Sequence, residues 1–285
     1  MLLALFGAAM GQGVVFYTGQ FYAQSFLGDV CLIDPDQIRP MMLIALALAT
    51  PFFILFGRWS DRVGRKWMML AGMLLAILTY PFLFGQLLKI SGTEGRTELV
   101  GQKEIRTSAA FINKTRNMIQ SSATLTYYED GMVVTETQQD TVYASGKAGG
   151  NVGGKAGGKP VTTVLKSLNT ADYWKMTAIL FVMVFSVTIV SGPITAWLIN
   201  LFPTRISYTS LSLPYHIGNG VFGGLIPFIA TLLTTMYTGH ALVGLWYPIG
   251  VAAICLVIGA IFIPGGNGAG GGDASRVDTS RIDAS

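Results

Sequence analysis

The chain has 285 residues, of which 51% are hydrophobic and only 12% are charged, and its formal net charge is +4. An ordinary soluble domain carries roughly 25% charged residues, so this composition argues against a chain that folds with a polar surface in water. The charges are gathered into a few short stretches and one long one, which is typical of an integral membrane protein. The basic residues form no stripe with interleaved aromatic residues, so we expect no nucleic-acid partner.

Six apolar segments approach or exceed the length of about 20 residues that a helix needs to cross a bilayer. In chain order they are Leu2–Leu27, Pro40–Phe56, Trp67–Leu88, Trp174–Phe202, Leu213–Tyr237 and Ala241–Ile263. The second is slightly short. The first is not expected to be a cleaved signal peptide, because it is too long and has no basic N-terminal region. The sequence therefore predicts an all-α membrane protein with six transmembrane helices, three within residues 1–90 and three within residues 173–264.

A polar insert, residues 91–172, separates the third and fourth segments. Its centre, "ATLTYYEDGMVVTET", predicts a β-hairpin, because two β-rich runs flank Asp130-Gly131, a dipeptide that favours tight primed turns. The stretch "SGKAGGNVGGKAGGKP" that follows is typical of a flexible linker. Residues 265–285 have no apolar periodicity and predict a disordered tail.

The charges of the short loops predict the orientation in the membrane. The loop at residues 57–66 holds four cations, and the next loop on the same side, "PTRISYTS", adds Arg205. The two loops on the opposite side contribute only Arg39 as a cation. Because cytoplasmic loops carry the excess of Lys and Arg, both termini are expected to be cytoplasmic and the insert extracytoplasmic. The expected location is the cell membrane, which is the inner membrane in a bacterium.

The loop "GRWSDRVGRK" fits the pattern G-x-x-x-D-R-x-G-R-K and resembles the signature loop of the major facilitator superfamily. Together with "GQGVVFYTGQFYAQSFL" and "FPTRISYTSLSLPYHIGNGVFGGLIP", it is similar to the metabolite:proton symporter family. The resemblance covers all six apolar segments, which correspond to the C-terminal six of the twelve family helices, whereas residues 91–172 look like an insertion. Ser207 stands where the family pattern has a second Arg after Arg205.

The resemblance implies a secondary active transporter, or its C-terminal half, that moves a small organic metabolite with protons by alternating access. The other wall of the cavity would come from a missing N-terminal half or from a second copy, and the chain is expected to be a fragment, a split half or a dimerising protein. No paired-carboxylate, metal-ligand or nucleotide-binding pattern occurs, so we expect neither an enzyme nor a cofactor. The alternative is a six-helix membrane protein that binds or senses through its insert and does not transport.

The signature loop predicts a conformational gate near the membrane surface. Gly57 and Gly64 allow close backbone approach, and Asp61 lies where it can meet a helix N-terminus or an Arg. Arg side chains offer bidentate donors, so such a cluster can form in one conformation and break in another. The candidate gate residues are Gly57, Asp61, Arg62, Gly64, Arg65, Lys66 and Arg205.

Polar residues within the first and fifth segments are the candidates for a substrate cavity. Tyr17, Gln20 and Gln24 recur at helical spacing in the first segment, and the fifth segment contributes Tyr215, His216 and Asn219. Polar groups in hydrocarbon need partners, so they line a cavity or form hydrogen bonds between helices. No Asp or Glu lies well inside an apolar segment, so proton coupling is expected to depend mainly on the missing half.

Overall fold

The computed structural model of the chain describes residues 2–99, 103–112, 117–142, 161–201, 207–237 and 239–263. These residues are mostly helical, with one small antiparallel sheet. Five helices among them are long and apolar enough to cross a membrane. They are Pro35–Val63, Arg65–Ser91, Thr170–Ile199, Ser212–Met236 and Val243–Phe262. The predicted linker and the predicted C-terminal tail lie outside the described residues.

The first predicted segment is also helical, but it is not among those five. Helix α1, residues 2–30, alternates between α-helical and π-helical turns, and the π-helical parts are Leu5–Ala9, Thr18–Tyr22 and Phe26–Val30. Glutamines at positions 12, 20 and 24 make its centre less apolar than the other segments. The sixth membrane crossing therefore stays a prediction.

Helix α2, Pro35–Val63, is much longer than the apolar segment Pro40–Phe56 from which it was predicted. Asp34 begins it as an N-cap, because its Oδ1 accepts a hydrogen bond from the Asp36 backbone N–H at 2.9 Å. Pro35 then occupies the first helical position, where its missing N–H costs nothing. At 1.5 Å per residue, the 29 residues span about 43 Å, more than the hydrocarbon core of about 30 Å.

The loop predicted at residues 57–66 is wrong, because this stretch is helical except at Gly64. Gly64 has a φ of +104°, a conformation that a residue with a side chain rarely adopts, and helix α3, Arg65–Ser91, begins immediately after it. Gly64 is the only residue of this stretch with a non-helical conformation, so α2 continues past the apolar segment until Val63.

Two further helices complete the described helical part of the chain. Helix α4, Thr170–Leu201, is apolar on all sides and is the most deeply buried of the five candidate spans. Helix α5, residues 207–236, is interrupted by a π-helical stretch at Ile217–Gly223 and resumes at Ile226–Met236. A short 3₁₀ turn, Val243–Leu245, leads into α6, Trp246–Phe262.

The insert folds as a four-stranded antiparallel sheet in the order β1-β2-β3-β4. The strands are Glu104–Ile112, Asn117–Tyr127, Val133–Val142 and Val161–Ser167. The predicted hairpin is confirmed, since β2 pairs with β3 from Tyr127↔Val133 outward.

The turn of this hairpin differs from the primed turn that the sequence predicted. Of its residues only Gly131, with a φ of +86°, has a positive φ, whereas a type I′ turn needs positive φ at both central positions. The Gly131 N–H instead bonds the Tyr128 carbonyl, and the Tyr128 N–H bonds the Met132 carbonyl, which makes a wider turn with a bulge at the glycine.

The chain divides into two compact units. One contains Met1–Phe26, Met41–Leu87 and the chain from Thr177 onward, and its core is centred on fully buried α4 residues such as Met183, Val187 and Val190. The other contains Leu27–Pro40 and Leu88–Met176, and therefore includes the whole sheet.

Arg96 ties the parts of the second unit together. Its guanidinium donates to the Ile90 carbonyl at 2.7 Å and to the Gly92 carbonyl at 3.0 Å, both at the end of α3. It also pairs with Asp172 at 2.9 Å, in the first turn of α4, and with Asp130 of the hairpin turn. A cation at a helix C-terminus and a carboxylate at a helix N-terminus both match the helix dipoles.

A second cation supports the same helix end. Lys166 of β4 donates to the Ser91 carbonyl at 2.9 Å, and burial lowers the pKa of its amine. Cys31 is buried beside Ser91, and burial raises the pKa of its thiol to about 11. A thiol held protonated in this way is a packing group rather than a nucleophile.

Candidate functional site

The α2–α3 junction, residues 57–67, is organised around an ion pair between Asp61 and Arg65. The Asp61 Oδ1 accepts from the Arg65 Nε at 3.1 Å and from its Nη2 at 2.9 Å. The third guanidinium nitrogen, Nη1, donates to the backbone carbonyl of Ala196 in α4 at 3.0 Å. Because Gly64 is the only residue between α2 and α3, the Arg65 side chain at the start of α3 can contact both α2 and α4.

Lys66 connects the junction to a fourth helix. Its ammonium donates to the Ala260 carbonyl at 3.0 Å and to the Ile263 carbonyl, both at the C-terminal end of α6. The last carbonyls of a helix have no partners within the helix, and a cation there is stabilised by the helix dipole. Lys66 is only 9% exposed, so these carbonyls replace most of its hydration.

Neither glycine of the predicted gate is required for the close backbone approach that was expected of both. A Cβ added at Gly57 would meet nothing closer than the Gly192 carbonyl at 4.0 Å, so Gly57 has room for a methyl group. The close approach of α2 and α4 instead requires Gly192, where a Cβ would lie 3.2 Å from the Gly57 nitrogen and 3.3 Å from the Phe53 carbonyl. Gly64 is needed for its positive φ and not for space.

Arg62, the remaining charged gate residue that the structure describes, does not join this contact set. Arg62 is exposed and makes no hydrogen bond or ion pair with any residue that the structure describes. Arg205 falls outside the described residues. The structure therefore brings together Asp61, Arg65 and Lys66 with the carbonyls of α4 and α6.

The candidate cavity residues of α1 are not on one common face. The spacing that predicted such a face assumes a regular α-helix, but the π-helical turn Thr18–Tyr22 lies between its first and last members. Tyr17 is half-buried and stacks on Phe21 with ring centroids 5.0 Å apart. Gln20 is half-buried, whereas Gln24 is exposed.

The candidates of α5 also separate. His216 is exposed. Tyr215 packs beside a buried cluster formed by Ala4, Ala8, Met69, Ile194, Leu198 and Ile263. Asn219 lies in the π-helical stretch, and its Nδ2 donates to the Tyr215 carbonyl at 3.1 Å.

A partly buried set of polar side chains links three helices and includes one residue that the sequence did not single out. Gln12 of α1 is 3% exposed. Its Oε1 accepts from Asn219 at 3.1 Å, and its Nε2 donates to the Ser191 hydroxyl of α4 at 3.1 Å. Asn219 thus takes part in a hydrogen bond between helices. The signal was available, since Gln12 stands between two glycines in an apolar run, where a polar group requires a partner.

A small pocket lies apart from these residues, between α1, α3 and α6. Its wall is mainly apolar, with Thr18 and Tyr80 as the polar members, and none of the six candidate cavity residues lines it. Among the described residues, no group of three His, Cys, Asp or Glu side chains is placed to hold a metal ion.

Replacing Gln12 with methionine is expected to lower the stability of the purified protein by about 1 kcal/mol, since two half-buried polar partners each lose a hydrogen bond. The volume hardly changes, so the effect reports the hydrogen bonds rather than a cavity. Thermal unfolding of the full chain in detergent measures it. Gln24→Met is the matched control, because Gln24 is exposed on the same helix. Equal unfolding midpoints for the two variants would show that this set of polar side chains does not stabilise the bundle.

No protein-family model, curated protein or solved structure matches the chain. The described residues nevertheless define a class: a mostly helical protein with several segments suited to cross a membrane, and with a small antiparallel sheet.

Proposed function

We propose that the chain is the C-terminal six-helix half of a secondary active transporter of the major facilitator superfamily, within the metabolite:proton symporter family. It moves a small organic metabolite together with protons by alternating access. The observation that carries this proposal is the junction: its sequence resembles the superfamily signature, and its charged residues contact helix ends whose relative positions must change during transport.

The ion pair at the junction suits a gate because it can be broken at low cost. The Asp61 side chain is 57% exposed, and exposed ion pairs typically contribute about 0–1 kcal/mol. The Ala260 and Ile263 carbonyls lie at the C-terminal end of α6, where carbonyls have no partners within the helix and can bind water when Lys66 moves away. Two conformations that differ by only a few kcal/mol are what alternating access requires.

The polar residues of α1 and α5 support a second body beside this chain. Gln24 and His216 are exposed on segments that are otherwise apolar, and lipid tails offer them no hydrogen bonds. A protein surface or a water-filled cavity must therefore cover them. A missing N-terminal half or a second copy would supply that cover and form the other wall of the substrate site.

An alternative function is binding or sensing through the insert without transport. The observation that favours it is that the sheet belongs to a compact unit distinct from the one that holds the junction.

Reconstituted vesicles test the transporter. We expect vesicles that contain the complete protein to accumulate a radiolabelled organic acid or amino-acid-like osmolyte under an imposed pH gradient, and a protonophore to abolish the accumulation. Uptake by this chain alone would support two paired copies, and uptake only after extension of the reading frame upstream would support a missing half. Absence of uptake from both proteins would contradict the proposal.

Removing the insert distinguishes the two functions. Residues 97–165 are replaced by a short Gly/Ser linker, which keeps Arg96 and Lys166 at the end of α3. If the chain is a transporter, the shortened protein retains most of the uptake measured in vesicles. If it binds or senses through the insert, the shortened protein loses that binding or response.

A further inference from the structure

Two of the four cations at the α2–α3 junction have no partner among the residues that the structure describes. Arg65 is bonded to Asp61 and to the Ala196 carbonyl, and Lys66 is bonded to the end of α6. Arg58 and Arg62 are both exposed, and neither makes a hydrogen bond or ion pair within the part of the chain that the structure describes. They are four residues apart on α2 and therefore lie on one face of the helix.

Two exposed tryptophans stand close to these arginines in the sequence, Trp59 between them and Trp67 five residues after Arg62. Trp59 of α2 is 52% exposed and Trp67 of α3 is 59% exposed, although both rings are large and apolar. The Lys66 ammonium lies 5.4 Å from the centre of the Trp67 ring, and the Trp59 ring stacks on Phe56 at 6.1 Å. We call Arg58, Trp59, Arg62 and Trp67 the junction patch.

The patch combines the two features that define a lipid headgroup site. Tryptophan is enriched at the boundary between hydrocarbon and water, because its ring is apolar and its N–H is polar. An Arg guanidinium matches the geometry of a phosphate and forms two parallel hydrogen bonds with it. Positive charge alone would be enough to orient the α2–α3 junction in the membrane. It would not require two exposed indole rings close to the charges in the sequence.

We propose that the junction patch binds the headgroup of an anionic phospholipid. Arg58 and Arg62 donate to the lipid phosphate, while Trp59 and Trp67 hold this end of the two helices at headgroup depth. A soluble acidic protein would also find the two charges, but the indole rings favour a partner whose surface is partly hydrocarbon. The inference needs only a chain embedded in a membrane, so it does not depend on transport.

Lipid titration of the purified full chain in detergent, followed by native mass spectrometry, tests the proposal. We expect phosphatidylglycerol to bind at least tenfold more tightly than phosphatidylcholine. Each Arg near an anionic surface contributes about 1 kcal/mol, which corresponds to about fivefold in affinity. Arg58→Gln/Arg62→Gln should therefore weaken phosphatidylglycerol binding by roughly 25-fold, and phosphatidylcholine binding much less, because the choline cation offsets the charge of its phosphate.

Matched variants separate the patch from a general effect of charge. Arg39 and Lys103 are exposed cations elsewhere in the chain, and Arg39→Gln/Lys103→Gln should bind phosphatidylglycerol as the unaltered protein does. Arg62→Gln alone should lose about fivefold, which keeps the test valid if the double variant folds poorly. Replacement of both patch arginines by lysine should keep most of the preference.

Three results would overturn the proposal. Equal affinity for the two lipids would show that the patch does not recognise negative charge. Full phosphatidylglycerol binding by both glutamine variants would place the lipid elsewhere. Displacement of the lipid by inorganic phosphate at equal concentration would show that the patch binds a soluble anion and that the tryptophans add nothing.

Discussion

Under the proposed transport function, Asp61→Asn is expected to reduce solute uptake by about fivefold while the protein still folds and inserts. Asparagine keeps the size of the side chain and one oxygen acceptor, but it loses the charge that holds two guanidinium nitrogens of Arg65. Arg65 then holds its place against the Ala196 carbonyl less firmly, and the closed arrangement of α2, α3 and α4 becomes less populated. Initial rates of uptake into vesicles, at equal protein content, measure the loss.

The same helix offers a control for this substitution. Asp36 at the other end of α2 is also exposed and forms an ion pair with Arg39 at 3.5 Å, but that pair joins no second helix. Asp36→Asn should therefore leave uptake within about twofold, because an isolated exposed ion pair contributes little. Unchanged uptake in the Asp61 variant, or equal losses in the two variants, would contradict a gating role for Asp61.

Local sequence patterns predicted the elements that depend on local interactions. Long apolar runs placed five of the described helices, because a run of this length has few alternatives in a membrane. The hairpin followed from two β-rich runs around Asp130 and Gly131. The type of turn was wrong, because Asp130-Gly131 also fits a wider turn in which only the glycine adopts a positive φ.

The extent of α2 was missed for a different reason. Hydropathy marks where a helix leaves hydrocarbon, but it does not mark where the helix ends. The charged residues after Phe56 form helix readily, so the chain remains helical until Gly64, which is the first residue that ends it. Residues 57–66 were therefore predicted to be a loop, although the structure has a tight corner at Gly64.

The partners of the site residues could not be deduced from spacing. The π-helical turn at Thr18–Tyr22 changes the facing of every later residue in α1, and nothing in the composition of that turn marks it. The contacts of Lys66 with α6 and of Gln12 with α4 join residues that are nearly 200 positions apart in the chain. Such pairs depend on how the helices pack, which a single sequence does not specify.

Gly218→Ala is expected to destabilise the protein by about 3 kcal/mol, near the upper end of the usual cost of overpacking. A Cβ at this position would lie 2.7 Å from the Ala9 carbonyl carbon and 2.8 Å from the Met10 nitrogen, so it would meet backbone that cannot rotate away. From the other side, a Cβ at Gly13 would lie 2.8 Å from the Gly218 oxygen. Helices α1 and α5 therefore pack backbone to backbone, as small residues allow in membrane bundles.

Gly220→Ala is the matched control, because Gly220 lies in the same π-helical stretch and a Cβ there would meet nothing within 4 Å. Both substitutions change the conformational freedom of the unfolded chain alike, so the difference between their unfolding midpoints isolates the packing of α1 against α5. Gly220→Ala should stay within about 0.5 kcal/mol of the unaltered protein. If the two variants have the same unfolding midpoint, α1 and α5 do not pack this closely. The hydrogen bond between Gln12 and Asn219, which requires that close approach, would then not form either.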